Sequence, residues 1–189
     1  VRYSPLGESR LGIAIPPVEA GATLTMSSAL EWSSYLGGSH HDECGAVEFV
    51  SGGDLIVAGQ TGSMDFPVTP GAFDTQHAGG EFFYDLFVTR LRPSDGSLVF
   101  STYLGGGAND FLKGIAVGES GEVVVVAETA SSDFPTTPSA YVSPDLLSFN
   151  VAVARLAADG GSLVYSSVFG GSKNDTVNGF ALAADESVY

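Results

Sequence analysis

Leu98-Val99-Phe100-Ser101-Thr102-Tyr103-Leu104-Gly105-Gly106 decides the fold, because the chain writes it three times. The earlier copy is Leu30-Glu31-Trp32-Ser33-Ser34-Tyr35-Leu36-Gly37-Gly38, 68 residues upstream, and the later one is Leu163-Val164-Tyr165-Ser166-Ser167-Val168-Phe169-Gly170-Gly171, 65 downstream. Distant anchors keep the same spacing. Asp65-Phe66-Pro67 returns as Asp133-Phe134-Pro135, Arg90-Leu91 as Arg155-Leu156, and Asp42 as Asp110 and then Asp175. A period this long holds a whole supersecondary unit.

Within one unit the runs are short, β-prone and separated by turn residues. In the first, 47–49 and 55–58 flank Ser51-Gly52-Gly53-Asp54, a loop rich in Gly, Pro, Thr and Asp covers 61–82, and 84–91 and 98–104 flank Pro93-Ser94-Asp95-Gly96. Each pair reads as a hairpin, giving four strands per unit. The second unit repeats the pattern at 114–117, 123–127, 151–156 and 163–167, and a third opens at 179–182. No stretch combines a sustained helical period with caps, so the chain reads as all-β.

Val123-Val124-Val125-Val126-Ala127 is apolar at consecutive positions, as expected of a strand buried on both faces. Four-stranded antiparallel sheets stacked on copies of themselves supply that environment, and their radial form is a β-propeller. A linear β-solenoid is the other repeat architecture, usually with shorter repeats. The expected organisation is a lead-in or tail of a preceding β-rich domain at 1–27, with strands near 11–15 and 23–26, and propeller repeats over 28–189. The units run at about 39–106 and 107–171, with a truncated third from 172: two full blades and parts of flanking ones. The chain opens at Val1, and Ser187-Val188-Tyr189 aligns with Glu122-Val123-Val124 at the opening of a strand. An internal piece of a longer polypeptide is the expectation.

Composition narrows the function classes. Of 189 residues 44% are hydrophobic and 20 are aromatic, ample for a core. Seven basic residues against 22 acidic ones give a net charge of −15, which repels phosphate backbones and anionic membranes, so no nucleic-acid partner is expected. No apolar run reaches the roughly 20 residues of a membrane helix. Cys44 is the only cysteine, so an internal disulfide is impossible.

The units resemble the SBBP repeat, a β-propeller repeat named for its seven blades, over residues 30–189. The resemblance rests on Tyr103-Leu104-Gly105-Gly106, Asn109-Asp110, Gly114-Ile115-Ala116-Val117, Ser132-Asp133-Phe134-Pro135-Thr136-Thr137-Pro138, Ala154-Arg155-Leu156 and Ser162-Leu163-Val164-Tyr165-Ser166. It departs from that pattern where Val50, Gly118 and Ala183 stand in place of an Asp, where Ala46 replaces a Gly, and where Asp54 and Glu122 replace Asn. The resemblance implies an extracytoplasmic bacterial protein, secreted or on the cell surface.

Candidate sites follow from the repeats. The pairs Gly37-Gly38, Gly105-Gly106 and Gly170-Gly171 are read as turns with φ > 0 between one unit's last strand and the next unit's first, rather than as ligand cradles. Asp42, Asp110 and Asp175, and likewise Asp65 and Asp133, are candidates to bind Ca²⁺ where a propeller gathers equivalent loops. Capping of local backbone N–H groups is the structural alternative and the one expected, because no dense Asp-x-Asp-x-Asp loop is present. His40, His41, Asp42 and Cys44 have no counterparts in later units and read as a solvated loop. Phe66, Phe73, Phe134 and Tyr141 have the chemistry to stack on sugars, but the recurrence of Phe66-Pro67 and Phe134-Pro135 favours packing of the loop onto the sheet. Asn174-Asp175-Thr176 matches a glycosylation acceptor. No Gly-x-Ser-x-Gly elbow or serine triad is present. The expected function is a non-catalytic scaffold or binding module contacting protein or glycan through loops and packed against the remaining blades of the same polypeptide. A propeller-based hydrolase or lyase with its catalytic residues elsewhere is the alternative.

Overall fold

The computed structural model describes residues 2–5, 11–14, 33–138 and 140–189. It divides into Val1–Glu31 and Trp32–Tyr189. In the first unit β1 (Arg2–Pro5) pairs antiparallel with β2 (Leu11–Ala14). The strand expected near 11–15 is therefore present, whereas 23–26 lies outside the described residues.

The second unit carries two four-stranded antiparallel sheets. The first is β3 (Asp42–Phe49), β4 (Leu55–Thr61), β5 (Asp85–Leu91) and β6 (Leu98–Leu104), in chain order. The second repeats it with β7 (Asp110–Val117), β8 (Val123–Thr129), β9 (Asn150–Leu156) and β10 (Leu163–Phe169). Among the described residues there is no α-helix, only a 3₁₀ turn at Gly80–Phe82. The chain is all-β with antiparallel sheets. Two differences from expectation stand out. β3 begins five residues early, at Asp42, and β7 four, at Asp110, and they pass a bulge between Cys44 and Ala46 and between Leu112 and Gly114. Residues 33–38, the first copy of the opening stretch, form no strand: β6 and β10 each have a preceding strand to pair with, and 33–38 have no such partner among the described residues.

The sheets stack face to face. β7 lies against β3, β4 and β5. One apolar cluster joins Ile56, Ala58, Leu86 and Val88 of the first sheet to Val123, Val125, Ala127 and Ala152 of the second. Val123 through Ala127 are all buried, as the unbroken apolar run predicts. Repeat-equivalent faces are used alternately: Val124, Val126, Val151 and Val153 sit on the opposite side of the second sheet, at the positions of Ile56, Ala58, Leu86 and Val88 in the first.

The long loops close the outer edges. Thr69 N–H donates to the Ser101 carbonyl (3.0 Å) and Ser101 N–H to the Thr69 hydroxyl (2.9 Å). Thr137 and Ser166 repeat both bonds at 3.1 Å. Backbone groups at the centre of each edge strand are thus satisfied within the repeat. Phe66 anchors the loop, stacked on Phe87 with centroids 4.5 Å apart, and it is buried together with Tyr103. The Tyr103 hydroxyl donates to the Ser63 carbonyl (2.7 Å) and accepts from Phe66 N–H (2.9 Å), and burial pushes its pKa up to about 12. Arg90 pairs with Asp54 at 2.9 Å, and Arg155 with Glu122 at 3.4 Å and with Glu186 at 2.7 Å, so each recurring arginine reaches the turn before its sheet's second strand and Arg155 also reaches the third repeat.

Truncating Phe66 removes a buried ring that closes the loop over β5 and β6. Phe66→Ala is expected to destabilise the chain by about 3–5 kcal/mol, read as a lower urea midpoint, with proteolytic nicking moving into residues 62–82.

Candidate functional site: the seam between repeats

The repeated polar residues converge on the connection from one repeat to the next. At the second seam, Asp110 heads β7 and its Oδ2 accepts from Gly106 N–H (2.9 Å) and from the Ser131 hydroxyl (3.0 Å). Asp133 Oδ1 accepts from Gly107 N–H (2.8 Å), and Ala108 N–H donates to the Ser131 hydroxyl (3.0 Å). The first seam repeats every bond: Gly38 N–H to Asp42 Oδ2 (2.8 Å), Ser63 hydroxyl to Asp42 Oδ2 (3.1 Å), Ser39 N–H to Asp65 Oδ1 (2.8 Å) and His40 N–H to the Ser63 hydroxyl (2.9 Å). At the third, Gly171 N–H donates to Asp175 Oδ2 (2.7 Å). Each aspartate holds backbone donors, as the capping reading expects.

The glycine pairs are conserved in position for a different reason from the one expected. None of the six has a positive φ, which belongs instead to turn glycines such as Gly53, Gly96, Gly121 and Gly160. Gly37, Gly38, Gly105 and Gly106 are glycine because carboxylates come too close for a side chain, and Gly170 is crowded by Asn150 and Asp175, whereas Gly171 has room. A Cβ on Gly105 would lie 2.7 Å from Asp110 Oδ2, and one on Gly106 2.6 Å from Asp133 Oδ1 and 2.7 Å from Ser131 Cβ. Close approach, not chain reversal, selects the residue.

A second set of bonds crosses from one repeat to the next. Asp110 N–H donates to the Tyr84 carbonyl (2.7 Å), while Tyr84 N–H donates to Asn109 Oδ1 (3.1 Å). Asp175, Phe149 and Asn174 repeat the pair at 2.8 and 3.3 Å. Gln60 Oε1 accepts from Leu112 N–H and Glu128 Oε1 from Val177 N–H. Thr61, Ser63 and Gln60 were not singled out in the sequence, although Thr129, Ser131 and Glu128 stand at the repeat spacing and carried the signal; Asn109 was quoted only as part of the repeat motif.

Electrostatics separate the carboxylates. Asp65 is exposed, and the Ser39 N–H and hydroxyl hold it below the ordinary carboxylate range. Asp110 is fully buried, and burial pushes it up to about 7 against the hydrogen bonds from Gly106 and Ser131. Burial also raises Asp85, whose Oδ2 accepts from Ala78 N–H at 2.7 Å.

Among the described residues no three His, Cys, Asp or Glu side chains are grouped to hold a metal ion. His40, His41 and Cys44 are exposed; His40 meets the Ser39 hydroxyl (3.1 Å) and His41 the edge of Tyr84. Of the four loop aromatics, Phe66 and Phe134 are buried and Phe73 packs against the core, so those three serve packing. Tyr141 is exposed and stacks on Phe169 at 5.6 Å. A row of rings lies elsewhere: His41, Tyr84, Phe111 and Phe149 follow one another at 5.8, 6.1 and 5.8 Å, with exposed Phe82 two residues before Tyr84. No protein-family model matches the chain, and no curated protein matches it.

Gly106→Ala would drive a methyl group into the Asp133 carboxylate and Ser131. The expected cost is about 1–3 kcal/mol, measured by urea unfolding, whereas Gly171→Ala, whose Cβ meets nothing closer than 4.0 Å, should cost less than half as much.

Proposed function

We propose that this chain is a run of β-propeller blades of the SBBP-repeat kind, two complete and a third begun. On this reading it serves as a non-catalytic scaffold or binding module of a secreted or surface-attached bacterial protein and contacts protein or glycan through its loops. The observation that carries this reading is how the repeated polar residues are used. Asp42, Asp65, Asp110, Asp133 and Asp175 all accept backbone N–H groups of their own seam, so the features that recur serve to join repeats. Asp85 and Asp110, the carboxylates with raised pKa values, are too enclosed to meet a substrate. Among the described residues no helix is long and apolar enough to cross a membrane.

Stacking supports the propeller. The free face of the second sheet borders an apolar groove of about 540 Å³ lined by Val124, Val126, Val151, Val153, Phe180 and Val188. Residues of the third repeat already occupy part of it. Ala181 and Tyr189 exchange backbone hydrogen bonds, and Phe180 reaches Gly114. The equivalent face of the first sheet seats the whole second sheet, so a further complete blade is the occupant that this geometry fits. The ring row from His41 to Phe149, with Phe82, is the surface suited to a glycan or a protein loop.

Two experiments test the reading. A screen of the chain against glycans and against ester, peptide and glycosidic substrates is expected to find binding weakened by Phe82→Ala, without turnover; turnover lost on Asp65→Asn or Asp133→Asn would sink the scaffold reading. With this apolar face covered only in part, by residues of the third repeat, the 189-residue chain alone is expected to self-associate, and a sharp monomer peak in sizing chromatography with cooperative melting would count against the stacked-blade arrangement.

A further inference from the structure

Two carboxylates share the second seam. Asp85 heads β5 and Asp110 heads β7, both are almost wholly buried, and they press on the same glycine: the Cβ position of Gly105 lies 2.8 Å from Asp85 Oδ1 and 2.7 Å from Asp110 Oδ2. Asp85 Oδ1 has no hydrogen-bond partner among the described residues. Two full negative charges in so small a buried volume repel strongly and lose their hydration.

The chain contains its own comparison. At the third seam the same place is built from Asn150 and Asp175, which both press on Gly170. Asn150 stands 65 residues after Asp85, heads β9 as Asp85 heads β5, and is equally buried. An amide is the neutral isostere of a protonated carboxyl group. One repeat therefore fills this position with a side chain that carries no charge, and the other fills it with a side chain that must acquire a proton to do so.

We propose that Asp85 and Asp110 hold one proton between them at neutral pH, making the seam between the first and second sheets weaken with rising pH while the Asn150–Asp175 seam does not. The groups facing the pair are consistent with this. On the loop before β5 stand His77, whose Nε2 donates to the Thr61 carbonyl, and Asp74. Tyr103 of β6, Thr129 of β8, and Ser131 and Asp133 of the following loop complete the surround. His77 favours ionised Asp85, Asp74 opposes it, and the Asp85 charge itself raises Asp110. Since burial lifts both carboxyls above the ordinary 3.8, and Asp110 to about 7, the folded chain holds more protons than the unfolded one between those values. The stabilisation is complete below about pH 4 and is lost as pH rises through about 7.

The test compares urea unfolding of the wild type, Asp85→Asn, Asn150→Asp and His77→Gln from pH 5 to 8 at fixed ionic strength and protein concentration. The wild-type folding constant should fall by up to about tenfold per pH unit. Asp85→Asn should flatten that fall, Asn150→Asp should steepen it by creating a second carboxylate pair with Asp175, and His77→Gln should leave it in place. An infrared band of a protonated carboxyl group, present in the folded wild type at pH 6 and titrating away at lower pH in Asp85→Asn, where only the charge of Asp85 is lost and Asp110 stays buried, reads the proton directly even if the chain self-associates. The proposal is overturned if Asp85→Asn keeps the wild-type pH dependence, or if His77→Gln removes it. Stabilisation of the wild type by added Ca²⁺ at pH 8 that Asp85→Asn abolishes also overturns it, because a cation rather than a proton would then neutralise the pair.

Discussion

At each seam an aspartate accepts the N–H of the glycine four residues before it, and the rest of the repeat is arranged so that this bond can form. The carboxylate must come within hydrogen-bond distance of bare backbone, so the glycine five residues before it has no room for a side chain. It must also be held from behind, and at the first two seams Ser63 or Ser131 donates to the same oxygen. The strand that the aspartate heads then starts in register beside the preceding repeat, through the paired bonds of Asn109 and Asp110 with Tyr84. A charge-assisted bond to a backbone donor is stronger than a neutral one, and enclosure strengthens it further. The same enclosure sets its limit, since each added carboxylate raises the cost of the charge already there.

Apolar packing follows from this alignment. Once β7 is placed by its seam, its sheet presents Val123, Val125 and Ala127 to Ile56, Ala58, Leu86 and Val88, while Phe180 and Val188 lie over Val124 and Val126 on the other face of β8. The side bearing Phe66 closes differently from its repeat equivalent. In the first repeat three aromatic rings meet at Phe66, Phe87 and Tyr103, while in the second the corresponding residues are Phe134, Ala152 and Val168. Smaller side chains at 152 and 168 make room for the neighbouring sheet. A conserved backbone plan therefore tolerates divergent side chains wherever what lies opposite has changed too.

Much of this plan was legible in the chain itself. The period, the four strands of each repeat and the doubly buried run at 123–127 followed from spacing and hydrophobic pattern. The heads of β3 and β7 did not, because aspartate disfavours strands and a bulge breaks the alternation at Cys44–Ala46 and Leu112–Gly114. The glycine pairs were misread because glycine has two uses, positive φ and close approach, and sequence alone does not separate them. Asp85 escaped notice because its counterpart is Asn150, and matching by identity discards a pair that differs only in charge. The absence of a strand at 33–38 reflects pairing, which no single segment encodes.

The seam bonds also set how such a chain can change in length. Their partners stand 4, 23 and 26 residues apart at the first seam and again at the second, so the two longer bonds lie inside one repeat and the shortest spans the joint to the repeat before it. The crossing bonds from Tyr84 and Gln60 reach only into the repeat that follows. A gene duplication that inserts a whole repeat would bring a complete set of donors and acceptors with it and would meet neighbours already equipped to receive it. A partial insertion would strand a buried carboxylate without its backbone donor. The chemistry of one aspartate thus quantises the evolution of the array, permitting gain or loss in whole repeats.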